Sequence, residues 1–169
     1  LDRFEATFAL SRSFSNPFDP EEVRVEATFV SPSGRVHIIP AFCCRDFIRT
    51  RSETGEILTP RGRQEWKVRF SSTEQGTYNF YPRARAGKEG VRSGKGSFEA
   101  VPSQRKGFVK VSRSDPQWFE LTPGQFFYPI GHNVRSPTDP RCAQKIYGMA
   151  EPTDMGTFAY DKYLSRMAA

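Results

Sequence analysis

The chain runs to 169 residues, of which 37% are hydrophobic and 26% charged, with 15 Phe and a net charge of +6. That is longer than the ~100 residues of one immunoglobulin-type sandwich and shorter than the ~250 of a (β/α)8 barrel, so one full domain and part of another are expected. The composition is globular and supplies aromatic bulk for a core without disulfides, and neither a run of ~18 apolar residues nor a charged-then-apolar leader points to a membrane span or secretion signal.

From Phe4 to Val111 the dominant signal is alternation with period two, broken by turn residues every dozen or so positions. Strands are predicted over residues 3–10, 22–31, 35–43, 64–71, 76–83, 96–101 and 107–113. In the second, Val23, Val25, Ala27 and Phe29 share one face, with Arg24, Glu26 and Thr28 on the other. In the fourth, Trp66, Val68 and Phe70 face inward between Glu65, Lys67 and Arg69. Strands that bury one side only build a two-sheet sandwich, and seven is the immunoglobulin-type count. Asn16, Pro17, Asp19 and Pro20 break the first strand, and Ser31, Pro32, Ser33 and Gly34 make the next turn. The polar stretch from Phe47 to Arg63 reads as an exposed loop or a short extra hairpin. Glu74, Gly76 and Tyr78 have the spacing of a tyrosine corner, in which the phenol bonds upstream backbone; the alternative is a plain core aromatic.

Beyond Arg113 the pattern changes. Residues 118–121 and 125–130 are two short apolar strands around Thr122, Pro123 and Gly124, a hairpin. Tyr160, Tyr163, Leu164 and Met167 then follow helical spacing. Strand, loop and helix make one βα unit, which cannot bury its apolar faces alone. The expected domains are therefore 1–113, the sandwich, and 114–169, the linker hairpin and first strand, loop and helix of an incomplete barrel.

Cys43 and Cys44 are adjacent and Cys142 is distant, so no disulfide framework is expected, and in a strand one of the pair is buried while its neighbour is exposed. His37 and His132 stand at no ligand spacing from a cysteine, so no metal or cofactor is expected. Between Arg83 and Arg113 nine Lys and Arg face only Glu89 and Glu99. Alternation spreads such charge around a module, which favours a solvated face or an acidic neighbouring domain over nucleic acid.

Several segments resemble the immunoglobulin-like N-terminal domain, of unknown function, that precedes the (β/α)8 catalytic barrel of bacterial glycoside hydrolases. They are Phe4 and Glu5; Asn16 to Asp19; Thr28, Phe29 and Pro32 to Gly34; Glu65, Trp66 and Val68 to Phe70; Gly76 and Tyr78; Gly96 to Phe98; and Gly107 to Val109. Phe126 to Asn133 resembles the hairpin and first barrel strand, and Asp161 to Tyr163 the start of the first helix. The Cys43 and Cys44 pair departs from the pattern.

The resemblance implies an all-β, immunoglobulin-like antiparallel sandwich of seven to eight strands, followed by the first βα unit of a truncated barrel. It implies a non-catalytic accessory module that packs on and orients its own C-terminal catalytic domain, in a secreted or periplasmic enzyme acting on polysaccharide. The paired carboxylates of glycoside hydrolysis would come from later barrel strands, so no catalytic residue is expected in this segment. His132, Asn133 and Arg135 follow the first barrel strand and are candidates for shaping the substrate pocket of the full enzyme, against a plain βα turn. Two alternatives remain open: a carbohydrate-binding module, with Phe47, Tyr81 and Trp118 as candidate stacking residues, and a free-standing extracellular interaction or adhesion domain.

Overall fold

In the computed structural model, residues 3–87, 89–92, 94–104, 107–122, 124–131 and 156–168 are described. Their structure is mostly strand, all of it in antiparallel pairs, with one α-helix. One sheet has the order β1 (Arg3–Phe8), β5 (Gly55–Ser71), β4 (Phe42–Ser52). A second has the order β3 (Val36–Pro40), β2 (Arg24–Val30), β6 (Gly76–Ala86), β7 (Glu89–Arg92), with β8 (Gly96–Ala100) also on β6. The third sets β10 (Phe119–Leu121) between β9 (Val109–Val111) and β11 (Gln125–Phe127).

The alternation expected of β2 and of the last part of β5 is present. Val25, Ala27 and Phe29 are buried on β2, as are Trp66, Val68 and Phe70 on β5. Register extends these rows, since Phe4 stands opposite Phe70 and Ala6 opposite Val68, while Phe29 lies between His37 and Phe80. The two inner faces meet in one aromatic core: Phe29 stacks on Phe70 at 4.4 Å, and Phe98 stacks on Phe4 at 4.0 Å and on Tyr78 at 5.2 Å. A second cluster joins Val23, Val25, Cys43 and Trp66.

Two prolines mark where ladders change hands. Pro82 has no N–H to give, and it falls between the stretch of β6 that pairs with β8, residues 76–80, and the stretch that pairs with β7, residues 83–86. Pro40 ends β3, after which Ala41 N–H donates to Val25 O at 2.8 Å and the chain passes to the other sheet as β4. The single strand predicted over 35–43 is thus two strands in different sheets. Cys43 is buried and Cys44 is not, as strand alternation requires, and burial pushes the Cys43 thiol up.

The Tyr78 side chain is fully buried and its hydroxyl accepts the Glu74 N–H at 3.1 Å, the bond expected of a tyrosine corner. Gly76 makes this turn feasible: its φ is +116°, and a Cβ there would stand 3.0 Å from the Pro32 ring. The Glu74 carboxylate ties down the facing turn by accepting Ser33 N–H at 3.2 Å and its hydroxyl at 2.9 Å.

The chain divides into two compact units, residues 1–44 with 64–129 and residues 45–63 with 130–169. Of the two readings of the stretch from Phe47 to Arg63, an exposed loop or an extra hairpin, the hairpin is present: β4 and β5 continue through it to a tight turn at Glu53 and Thr54. The segment predicted as a seventh sandwich strand, 107–113, holds β9, which pairs with β10 instead. In the second unit α1 (Thr157–Ala168) covers the predicted helical spacing, and Leu164 and Met167, 57% and 53% exposed, leave its apolar stripe open.

Candidate functional surfaces

Of the three aromatics expected on the surface, Tyr81 lies on β6, opposite Thr28 of β2, whose other neighbour is Ile38 of β3. Trp118 precedes β10, and Phe47 lies on the β4 ribbon. All three are exposed. Tyr81 and Phe47 lie in different sheets and Trp118 lies beside a third, where its ring meets Phe126 at 5.8 Å, tilted by 59°. His132, Asn133 and Arg135 lie outside the described residues.

The three-stranded sheet has unusual faces. On one, Lys110 and Glu120 pair at 3.0 Å, and Phe126, opposite Glu120, is 61% exposed. On the other, Val111 and Phe119 stand opposite each other and both remain exposed, with Val109 two residues away. Tyr128, just beyond β11, is 61% exposed. A sheet this small needs one apolar face packed for stability, yet here large apolar side chains reach solvent on both.

A groove of about 460 Å³ lies between the β1–β2 loop and the Pro40–Ala41 crossover, with Trp66 and Cys43 among its lining. Its rim carries Phe18, 74% exposed between Pro17 and Pro20. The loop that presents Phe18 is closely tied. The Glu22 carboxylate accepts Ser15 N–H at 2.6 Å, Ser15 Oγ at 2.8 Å and Asn16 N–H at 2.8 Å; Asn16 Oδ1 accepts Phe18 N–H at 3.2 Å. On the facing rim Phe42 lies under the Arg69 guanidinium at 4.8 Å. Sequence reasoning missed this site. Its one available signal was an unpaired Phe between two prolines, which read as a strand break.

Four carboxylates are tied to neighbouring groups of the framework. The Arg69 bond at 2.7 Å holds the Glu5 carboxyl below the usual range, with Lys67 and Arg3 assisting. Asn16 and Ser15 N–H groups do this for Glu22, Ser33 for Glu74 and Lys110 for Glu120. In each of these four carboxylates a neighbouring donor or cation favours the ionised form. Among the described residues no group of three or more His, Cys, Asp or Glu is placed to hold a metal. Part of the basic stretch is likewise engaged: Arg83 pairs with Glu26 at 2.8 Å, and Arg85 donates to Gly87 O at 3.1 Å.

No curated protein matches the chain. Among solved structures it is similar to a putative glycoside hydrolase from Bacteroides vulgatus ATCC 8482, with a TM-score of 0.52 and 22% identity, over 81% of this chain and 22% of that one. The chain thus spans about a fifth of the length of that protein, and at this identity the likeness is one of fold. In sequence, residues 2–85 match a family described as Domain of unknown function (DUF5060).

Proposed function

We propose that the chain is the non-catalytic N-terminal accessory module of a glycoside hydrolase, an immunoglobulin-like sandwich that packs on and orients a (β/α)8 catalytic barrel. The strand order supports the fold reading. The β1–β5 pair corresponds to strands B and E of an immunoglobulin domain, and the order β3-β2-β6-β8 to C′, C, F and G. Tyr78, at the turn from β5 into β6, then sits where the tyrosine corner belongs. The functional reading is carried by the sheet of β9, β10 and β11, which exposes Phe126 on one face and Phe119 and Val111 on the other, with Tyr128 exposed just beyond β11: apolar surface suited to cover by a further domain. In that enzyme His132, Asn133 and Arg135 would lie near the substrate pocket.

The tilt of Trp118 against Phe126 favours protein packing over sugar, because a pyranose stacks on a flat aromatic platform. Phe126→Glu tests this. In the 169-residue chain the change is expected to stay within about 0.5 kcal/mol, as for a surface site. In the intact enzyme it should cost about 2–4 kcal/mol, by removing a buried ring and leaving a charge without water. Equal effects on thermal unfolding in the two contexts would remove the reading.

The Phe18 groove supports a second reading, carbohydrate binding, since a pinned aromatic beside a cleft of this size suits one sugar unit. Electrophoresis through gels containing soluble xylan or laminarin should then retard the chain. Phe18→Ala should weaken that retardation about tenfold, the loss of one stacking contact of ~1–1.5 kcal/mol. Unretarded migration in both gels eliminates the glycan reading.

A further inference from the structure

Among the described residues, helix α1 has no cap from its own flank. The residue before it is Gly156, which has no side chain to offer, and its first turn holds no acidic residue. Left alone, the positive end of a 12-residue helix would be unmet, and a helix of that length is marginal in water. The missing groups come from the turn of the β4–β5 ribbon, about a hundred residues away in sequence. Glu56 Oε2 accepts the Thr157 N–H at 2.9 Å, and Glu56 Oε1 accepts the Thr157 hydroxyl in a short bond. Arg49 Nη1 donates to Thr157 Oγ1 at 3.0 Å, and Arg49 Nη2 pairs with Asp161 Oδ2 at 2.8 Å. The guanidinium groups of Arg49 and Arg51 lie over the Phe158 ring at 4.8 and 4.2 Å. Gly156, at φ +79°, permits the approach, since a Cβ there would stand 2.5 Å from Glu56 Oε2.

We infer that the tip of the β4–β5 ribbon is a receptor for a helix N-terminus, and that its partner is the helix opening the domain that follows the sandwich. Glu56 is the cap, Arg49 fixes the helix through Thr157 and Asp161, and Arg49 and Arg51 together seat Phe158. The ribbon's exposed, charged composition then has a purpose: it is an arm that folds and positions the next domain's first helix. This deepens the accessory-module reading and rests on it for the identity of the partner domain, although the contact itself stands within this chain.

The test is amide hydrogen exchange on the full 169-residue chain. Glu56→Ala should lower protection within residues 158–164 about five- to tenfold, as loss of a cap does, while β2 and β6 keep theirs. Gly156→Ala, which pushes a methyl against the Glu56 carboxylate and also strains the backbone at φ +79°, should give a selective loss at least as large. Arg49→Glu should also lower it, and adding Asp161→Arg should recover part of it. Unchanged helix protection in Glu56→Ala and Gly156→Ala would overturn the inference, as would losses in β2 and β6 as large as those in α1. A downstream sequence unrelated to hydrolases would remove the accessory reading and leave this exchange pattern in place.

Discussion

Phe29→Ala is expected to cost about 3–5 kcal/mol, at the upper end of that range, and to take most of the chain's stability with it. Phe29 is fully buried on β2, which lies inside its sheet between β3 and β6. Its ring stacks on Phe70 at 4.4 Å and meets Phe80 at 5.6 Å, Phe4 at 6.1 Å and Phe98 at 6.3 Å. Those neighbours come from both sheets, so they are held by two hydrogen-bonded ladders and cannot close the space that the ring leaves. The cost of a core truncation grows with the cavity that survives relaxation. Urea unfolding followed by far-UV circular dichroism measures it. A loss under about 1 kcal/mol would mean that the two inner faces do not share this core.

Trp66→Ala is expected to cost about 3 kcal/mol, nearer the lower end for a buried aromatic. Trp66 is 7% exposed and packs with Val23, Val25 and Cys43, but it also lines the groove under the β1–β2 loop. A loop can settle into vacated space in a way that a β-ladder cannot, so part of the transfer loss is recovered. The two truncations should couple, because Phe8 and Ala41 pack against both clusters. If Trp66→Ala proves costlier than Phe29→Ala under the same urea titration, the assignment of the rigid and the yielding core is reversed.

Those two residues also show what could be read from sequence. Phe29 and Trp66 stood out because each lies on a strand with one buried side, and period-two alternation is the trace that such a face leaves. The tyrosine corner was legible for a similar reason: a phenol two residues after a glycine with positive φ is a local device, complete within a few positions. The ribbon from Phe47 to Arg63 left no such trace. It faces no core on either side over most of its length, so nothing selects alternation, and its Arg, Thr and Glu resemble a loop.

The function of that ribbon was hidden for another reason. Glu56 and Thr157 are 101 positions apart, and neither residue alone suggests a cap. The pairing of β9 with β10 escaped as well, because Val109 to Val111 continues the alternating pattern of the strands before it, and pattern does not specify a partner. The Phe18 groove depends on the Glu22 carboxylate reaching back to Ser15 and Asn16, a set of bonds with no periodic signature.

Whether this β-rich module serves a hydrolase is decided by the coding sequence beyond the Ala169 codon. An accessory module should be followed there by about 250 further residues with repeated strand-then-helix signals and two Glu at strand ends, as a retaining or inverting (β/α)8 glycosidase requires. A stop codon at that point, or a continuation into further all-β modules without the carboxylate pair, would contradict the accessory-module reading.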